Sequence, residues 1–550
     1  MGFEIVNGVL KRYIEKPDRE PQDLGSDCGE DSSIFQGFFL SEEVVIPDGV
    51  TRIGKEAFKS CSHVISVVIP KSVTSIGEYA FFGCVNLSFV SIPDSVTQIG
   101  NGAFKSCFTL WELTLPDSVT QLGESVFEFC FSLRKVTLSR NMTEITKQMF
   151  ANCTELKSIT IPEGVTRIGD NAFVDCYELK KICIPETVKR IGNDAFNGCG
   201  SLKSLKLPGR LSEMGDEVFN NCKSLQSLTF PDSMTRIPEM TFCRCGSLKR
   251  VVIPDTMTQI GADAFFACTS LQRIKIPFGV TSIGDSAFRY CASLQKVVIP
   301  RGVTCIGANV FSSCKSLQSV TIPDSVTQIG SEAFLNCSGL QSVSIPDSVT
   351  QIGSGAFMYC TGLQSITIPD SVTQIEPEVF CGCTHLRYAV IPDHVKQKEL
   401  CQMFYYCDAL KHLTIFGYTV DATQCHWKKA SPSKVLAMLN SKDYSARIDQ
   451  PTKYQFVVQV FLKDGQPEAK AYLKRNFTKI LRSLIDANDY DVIKELLDFE
   501  GFVTKQNIQD FVDYAIANAQ KGGDLQIQVC LMDYKNRNFP DLDPLAELDF

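Results

Sequence analysis

The chain has 550 residues, more than a single globular core usually holds. Its 62 acidic and 54 basic side chains give a formal net charge of -8 at pH 7, so the overall charge argues against nucleic acid as a partner. Hydrophobic residues make up 44% of the chain, which predicts a largely folded protein rather than a disordered one.

The N-terminal residues predict a small cap. Two short apolar segments, residues 3–5 and 9–10, flank Asn7-Gly8, a dipeptide typical of hairpin turns. A strand pair of this kind could cover the apolar end of a repeat array. Residues 17–33 are acidic and contain Pro, Gly and Ser, which predicts a solvated loop. We therefore expect residues 1–43 to form an N-terminal cap and an acidic loop.

A single pattern then recurs every 23 residues. A phenylalanine followed three residues later by a cysteine occurs fifteen times in succession, from Phe58 and Cys61 to Phe380 and Cys383. A fixed period of roughly 20–50 residues indicates stacked repeats, most simply a solenoid. We expect both columns to lie in the core with the thiols reduced, because free cysteine behaves as a small buried hydrophobe.

The unit between residues 340 and 360 shows how each repeat is built. Its alternation Leu-x-x-Val-x-Ile predicts a short strand, and the proline that follows ends it. The segment Val-x-x-Ile-Gly returns the chain, and Ala-Phe predicts a short helical turn that closes the coil. The sequence therefore predicts an α/β solenoid of about 16 coils over residues 44–417, with a parallel sheet on one side.

The full unit, Leu-x-x-Val-x-Ile-Pro-x-x-Val-x-x-Ile-Gly-x-x-Ala-Phe-x-x-Cys, resembles the repeat of the BspA-like leucine-rich repeat family over about residues 44–415. The resemblance implies a leucine-rich repeat solenoid whose parallel sheet lines a concave face that serves binding rather than catalysis. Some relatives are bacterial surface adhesins. This chain shows neither the export signal nor the cell-wall sorting motif of such adhesins, so we expect a cytoplasmic protein.

From about residue 431 the apolar spacing changes to i, i+3 and i+4, which is typical of helices. Leu473, Phe477, Ile480 and Leu484 show this spacing most clearly. The pattern predicts an all-α domain over residues 431–550 that caps the solenoid. Within it, residues 488–499 faintly resemble an ankyrin helix.

The sequence lacks the common motifs of enzyme active sites. It contains no Walker loop, no Gly-x-Ser-x-Gly and no His-Glu-x-x-His. Four of the five histidines lie between His385 and His426, close to several cysteines, but Cys383 and Cys407 belong to the core column and no paired Cys-x-x-Cys spacing occurs. We expect no catalytic residues, no metal and no cofactor. An enzyme would need a pocket between the solenoid and the helical cap.

Basic residues concentrate at the strand positions that flank the central apolar residue and should face solvent on the concave side. No acid interrupts these columns between Arg134 and Lys296. The basic stripe, as we name this set, contains Arg134, Lys135, Lys157, Lys180, Lys181, Lys203, Lys206, Lys249, Arg250, Arg273, Lys275 and Lys296. Phe89 and Trp111 occupy similar positions on the preceding coils. A segregated basic surface on an acidic protein attracts anionic partners.

We therefore expect a non-catalytic scaffold that binds an acidic protein segment through the basic stripe, with Phe89 and Trp111 as an apolar anchor. One alternative is a solvated face without a partner, and another is a cell-surface adhesin exported by an unrecognised route. Nucleic-acid binding is less favoured, because aromatic residues for base stacking are not interleaved with the basic ones. No stretch of about 18 apolar residues predicts a membrane span.

Overall fold

The chain divides by its internal contacts into two units, residues 1–326 with 332–338 and residues 327–331 with 339–550. The structure, a computed structural model, describes residues 2–14 and 42–542. The predicted acidic loop lies outside the described residues. The division falls within the repeat region because each coil packs only on its neighbours, and the C-terminal helices group with the last coils.

The first unit begins with the hairpin that the sequence predicts. Strands Gly2–Val6 and Val9–Ile14 pair antiparallel, and Asn7 and Gly8 make the turn with φ values of 49° and 72°. The second strand also pairs parallel with Arg52–Ile53 of the first coil. The ring of Tyr13 stacks 5.1 Å from that of Phe58, so the hairpin covers the first phenylalanine of the column.

The Leu-x-x-Val-x-Ile segments form short parallel strands, which we call the front strands. They pair in parallel groups of two or three with a register of 23 residues, as Lys135 does with Glu112. Single bridges at Ser204 and Arg273 continue the pairing where no full strand forms. The front strands of the first unit are Glu42–Val45, Val64–Val68, Phe89–Ser91, Glu112–Thr114, Lys135–Thr137, Ser158–Thr160, Lys181–Cys183, Ser227–Thr229, Arg250–Val252, Lys296–Val298 and Ser319–Thr321.

The returning Val-x-x-Ile segments form a second set of two-residue parallel strands, which we call the back strands. In most of these strands an isoleucine faces the core and the preceding residue faces outward, as Ile168 and Arg167 do. The back strands of the first unit are Arg52–Ile53, Ser75–Ile76, Gln98–Ile99, Gln121–Leu122, Glu144–Ile145, Arg167–Ile168, Arg190–Ile191, Glu213–Met214, Arg236–Ile237, Gln259–Ile260, Ser282–Ile283 and Cys305–Ile306.

The helical turn of each coil consists of two i→i+3 backbone turns. In the first coil Lys59 N donates to Glu56 O at 3.1 Å, and Cys61 N donates to Phe58 O at 3.2 Å. Alternate N–H groups reach the next coil instead, as Phe58 N does to the carbonyl of Ala80 at 2.7 Å. Glu56 and Ser60 adopt φ values of 57° and 59°, and the equivalent residues of later coils do the same. Left-handed residues therefore let each turn bond both to itself and to its neighbour.

The phenylalanine and cysteine columns form the centre of the core, as the sequence predicts. Phe265 and Cys268 are fully buried, and the rings of Phe265 and Phe288 stack 5.1 Å apart at an interplanar angle of 5°. The buried thiols also make a ladder of hydrogen bonds. The thiol of Cys268 donates to the carbonyl of Phe242 in the preceding coil at 3.2 Å, and this contact recurs 26 residues apart along the column. Each cysteine thus fills space and satisfies a buried carbonyl.

The glycine after each back strand is required by close packing rather than by its own φ. A Cβ atom on Gly77 would lie 2.6 Å from the carbonyl carbon of Gly54 in the preceding coil. Gly77 has no left-handed backbone, which agrees with the sequence, where a few coils carry other residues at this position. In one such coil Thr146 donates its hydroxyl to the carbonyl of Gly123 at 2.7 Å.

The second unit continues the same coils and then changes to helices. Its front strands are Ser365–Thr367, Tyr388–Val390 and His412–Ile415, the last of which pairs antiparallel with Tyr418–Asp421, and its back strands are Gln328–Ile329, Gln351–Ile352 and Gln374–Ile375. Its helices are α1 (Gln397–Met403), α2 (Pro432–Ser441), α3 (Gln450–Asp464), α4 (Pro467–Asp486), α5 (Tyr490–Leu497), α6 (Ile508–Gln520) and α7 (Leu525–Asn538), followed by a 3-10 turn at Pro540–Leu542.

Helix α3 covers the last coil, as expected for a cap. Residues Thr452 to Val458 of this helix are all buried. The ring of Phe456 lies 6.2 Å from that of Phe416 and 6.1 Å from that of Trp427. At the end of the helix Lys463 Nζ donates to the carbonyl of Gly417 at 2.7 Å. Helix α3 thus packs on the last coil through both apolar and polar contacts.

Candidate binding surface

The front strands of the first unit place the whole basic stripe on an exposed surface. All twelve side chains are exposed, whereas central residues such as Ile159 and Ile182 are buried. Successive residues of a strand point to opposite faces, so a buried central residue directs its two neighbours outward. Adjacent coils are separated by about 4.8 Å, the usual distance between paired strands.

The stripe is arranged in three rows. The edge row lies just before the front strands and contains Arg134, Lys157, Lys180, Lys203 and Lys249. The middle row lies at the first residue of the strands or at the equivalent bridge and contains Lys135, Lys181, Arg250, Arg273 and Lys296. The third row lies two residues further on and contains Lys206 and Lys275. Residues two apart share a face of the strand, so the middle and third rows project in the same direction.

Five of the twelve basic side chains are neutralised by acids, most of which lie in the adjoining loops. The ion pairs are Arg134–Glu155 at 2.6 Å, Lys135–Glu112 at 2.5 Å, Lys180–Glu178 at 3.6 Å, Lys206–Glu186 at 2.8 Å and Lys275–Asp255 at 3.8 Å. The hydrogen bond from Lys206 and a second from Gly209 N lower the pKa of Glu186. Reasoning from the strand columns missed these acids, although the glutamates beside the strands were a visible signal.

The other seven basic residues form no ion pair with any residue among 2–14 and 42–542. They are Lys157, Lys181, Lys203, Lys249, Arg250, Arg273 and Lys296. A coil with only uncharged exposed residues, Gln226, Ser227 and Thr229, divides them into two groups. The group after this coil has one member of the middle row on each of three successive coils, whereas the earlier group alternates between the edge row and the middle row.

The two aromatic residues predicted as an anchor are also exposed on the front of the first unit. Phe89 and Trp111 expose 47% and 48% of their surface, which is unusual for such large apolar side chains. The carbonyl of Trp111 accepts the N–H of Arg134 at 2.9 Å, so the anchor borders the first residue of the basic stripe. Val68, on an earlier coil, is exposed as well, which makes this end of the surface apolar.

Acidic residues in the turns after the back strands have a structural role. Asp170 accepts the N–H of Asn193 at 3.0 Å, and Asp285 accepts that of Ala308 at 2.8 Å. Each bond joins one coil to the next. These acids are therefore separated from the basic stripe and stabilise the stacking. Partial burial raises the pKa of Asp263 in the same turns, and the neighbouring Asp285 adds to this effect.

The second unit brings together part of the cysteine and histidine cluster noted in the sequence. Cys401, Cys407, Cys425 and His426 line a cavity of about 510 Å³ between the last coil and the loop before α2. Cys407 donates its thiol to the carbonyl of Phe380 at 3.0 Å, and burial raises the pKa of Cys425. Across the described ranges, no group of three His, Cys, Asp or Glu side chains has a geometry that could hold a metal ion.

Within residues 2–14 and 42–542, no helix has both the length and the hydrophobicity needed to cross a bilayer.

Comparison with known proteins identifies the repeat. The family described as the BspA type leucine rich repeat region matches residues 31–88, 51–180, 166–295 and 281–411, which together span more than half of the chain. A comparison with curated proteins finds no match.

Two solved bacterial structures are similar to this chain over about two thirds of its length. A leucine-rich repeat protein from Bacteroides ovatus is 29% identical, with 68% of this chain and 92% of that chain covered and a TM-score of 0.43. A leucine rich cell surface protein from Faecalibacterium prausnitzii is 28% identical, with 68% and 88% covered and a TM-score of 0.34. The repeat unit, its strand register and the extent of the family match agree, and the chain belongs to the BspA-type leucine-rich repeat family.

Proposed function

We propose that this protein is a non-catalytic scaffold that binds an acidic protein segment through the basic stripe. The observation that carries the proposal is the set of seven exposed basic side chains without an acidic partner in the described part of the chain, although the protein as a whole is acidic. Neighbouring coils stack like charges, which is unfavourable for the free protein. A negatively charged partner would relieve this repulsion.

The proposal agrees with the general use of the fold. Leucine-rich repeat solenoids typically present an extended surface to protein partners rather than a catalytic centre. Exposed charge pairs contribute only about 0–1 kcal/mol each, so affinity must come from several contacts made together. Phe89 and Trp111 add apolar area at one end, since aromatic residues are frequent among the dominant contacts of interfaces.

A charge-reversal variant tests the proposal. We expect the full chain to bind a fluorescent glutamate-rich peptide, with an affinity that falls as salt rises above about 0.15 M. Reversal of Lys181, Arg250 and Arg273 to glutamate should abolish this binding at that salt concentration without changing the circular dichroism spectrum, because all three side chains are exposed. Fluorescence anisotropy across a salt series measures both effects.

Two controls define the ligand class. The same peptide with glutamine in place of glutamate should not bind. A single-stranded oligonucleotide of equal charge should bind more weakly than the glutamate peptide, because the stripe lacks interleaved aromatic residues for base stacking. Equal binding by the wild type and the reversal variant, or binding that does not respond to salt, would contradict the proposal.

A cytoplasmic location is part of the same proposal. Cell fractionation followed by immunodetection with an antibody against the C-terminal helices provides the test. Recovery in the cytosolic fraction is expected, and recovery on the intact cell surface would favour the adhesin alternative.

A further inference from the structure

The basic residues without an acidic partner are most closely aligned on the three coils around residue 273. The cationic row, as we name it, consists of Arg250, Arg273 and Lys296. Its members occupy the same position on successive coils, and Arg273 and Lys296 are paired across a parallel bridge. Three positive charges therefore follow one another at a spacing of about 4.8 Å.

The loops around the cationic row leave its charge uncompensated. The short loops that precede these strands contain only small or polar uncharged residues: Gly246, Ser247, Thr269, Ser270, Ala292 and Ser293. Of the loops that follow the strands, one contributes Asp255, which pairs with Lys275, and another contributes the exposed Arg301. Earlier coils differ, because Glu112, Glu155, Glu178 and Glu186 each neutralise a basic residue there. The positive potential is thus concentrated on the cationic row.

Exposed apolar side chains run beside these charges. The apolar row, as we name it, consists of Val252, Phe278 and Val298. Val252 and Val298 lie two residues after Arg250 and Lys296, so each pair shares the outer face of a strand. Phe278 is 80% exposed in the loop that follows Lys275. The surface therefore presents positive charge and apolar area side by side over the same three coils.

We propose that the cationic and apolar rows together receive an amphipathic acidic helix of a protein partner. The spacing favours a helix over an extended segment. With a rise of about 1.5 Å per residue, helix residues i, i+3 and i+7 are separated by about 4.5 and 6 Å, close to the coil spacing. Residues on one side of an extended segment are about 6.7 Å apart and lose register after one coil. Acidic residues on one side of the helix contact the cationic row, and leucines beside them contact the apolar row.

This inference rests on the proposed function and narrows it to one part of the basic stripe and one kind of ligand. The test uses the full chain and three synthetic peptides of identical composition, rich in glutamate and leucine. The first peptide has its glutamates and leucines on adjacent faces of a helix and a proline at its end. The second has the same residues in scrambled order. The third keeps the order of the first, except that the terminal proline is moved to the centre, where it interrupts the helix. We expect the first peptide to bind about tenfold more tightly than the other two.

Two variants with equal loss of charge locate the site. Replacement of the cationic row by glutamine should weaken binding of the helical peptide by about tenfold or more, because its contacts are not offset by nearby acids. Replacement of Lys157, Lys181 and Lys203 by glutamine removes the same charge from the earlier coils and should change binding by about twofold. A third variant, Phe278→Ser, should weaken the helical peptide and leave a peptide of glutamate alone unaffected.

The possible outcomes separate this inference from the proposed function. Absence of salt-dependent binding of every acidic peptide would contradict both. Equal binding of the three peptides would contradict a helical ligand, and equal losses of affinity in the two glutamine variants would contradict a site on the cationic row. Either result would still agree with an acidic ligand that binds the stripe as a whole. Tighter binding of the proline-containing peptide would show that the ligand is extended.

Discussion

Individual residues in the turns carry a backbone constraint that recurs in every coil. Two positions per coil adopt positive φ, and in every coil from Glu56 to Gly382 at least one of the two residues is not glycine. A left-handed backbone costs a residue with a side chain about 1–2 kcal/mol. None of the residues at these positions is Val, Ile or Thr, whose branched side chains are the least compatible with this conformation. The inter-coil hydrogen bonds of the turn offset the cost, as Ala267 N shows by donating to Arg289 O at 2.8 Å.

The conformation at Ala267 predicts opposite effects of one substitution at two sites. Ala267 has a φ of 56°, whereas Ala292, which is similarly half-buried, does not have a positive φ. Ala267→Gly should stabilise its coil relative to Ala292→Gly by about 1–2 kcal/mol, because glycine removes the left-handed strain only at the first site. Hydrogen exchange of the peptides that cover residues 262–292 measures the local stability. Equal protection in the two variants would contradict the assigned backbone.

The buried cysteines explain why so many thiols can remain free. Burial raises the pKa of Cys130, Cys222 and Cys291 to about 12, so the reactive thiolate form is rare at neutral pH. Each of these thiols also donates to a phenylalanine carbonyl of the preceding coil. The cysteine column is therefore a structural ladder, and its regular spacing reflects the pitch of the solenoid.

Helix α5 begins beside the last coil at a half-buried acid. Asp489 precedes the first residue of the helix, and burial raises its pKa, whereas the nearby Lys411 of the last coil lowers it and Asp421 raises it. Because the net pKa in the folded protein is above the ordinary value of 3.8, the folded state binds more protons than the unfolded state between these two pKa values. Asp489 therefore favours folding most at low pH, and this contribution is lost as the pH rises through the folded pKa.

The predicted consequence is a pH-dependent effect of Asp489→Asn. At pH 7 the variant should unfold at a higher temperature than the wild type, and the difference should disappear as the pH approaches 3.8. Asp491→Asn is a matched control in the first turn of the same helix, where the side chain is exposed and its loss should slightly lower stability. Thermal unfolding followed by helical circular dichroism measures both. A lower melting temperature for Asp489→Asn at pH 7 would show that its contact with Lys411 outweighs its burial.

Across the whole molecule, stability depends on stacked coils whose ends need covering. Each coil buries the same leucine, phenylalanine and cysteine against its neighbours, so stability is approximately a sum of coil and interface contributions. The hairpin covers the first phenylalanine through Tyr13, and α3 covers the last coil through Phe456. Neither cap repeats the 23-residue pattern.

Removal of the C-terminal cap should therefore destabilise the coils on which it packs. A chain that ends at residue 430 would expose Phe416 and Trp427, both buried in the full chain. We expect this shortened protein to aggregate or to melt at a lower temperature, as measured by size-exclusion chromatography and differential scanning calorimetry. Phe456→Ala in the full chain should also lower the melting temperature, because the lost packing reduces the free energy of unfolding by about 3–5 kcal/mol. A shortened protein that stays monomeric and equally stable would show that the helices form an independent domain.

The sequence alone determined the repeat, the core columns and the helical region. In a solenoid of parallel coils, residue i lies beside residue i+23, as Glu112 lies beside Lys135, so a contact between distant residues becomes a periodicity that can be read directly. The same reasoning identified the middle and third rows of the basic stripe, because the residues that flank a buried strand centre must face outward. The apolar spacing around Phe477 likewise predicts α4.

Only the tertiary structure decided which members of the stripe lack an acidic partner within residues 2–14 and 42–542. Long acidic side chains in the loops form ion pairs with residues at or beside the strands of a neighbouring coil, as Glu155 does with Arg134. The repeat period does not predict these pairs. The back strands and the left-handed turns also depend on hydrogen bonds between coils, such as that from Phe58 N to Ala80 O, rather than on local preference. Periodicity thus determines which residues share a column, whereas the three-dimensional distances between columns and loops determine the charge of the surface they form.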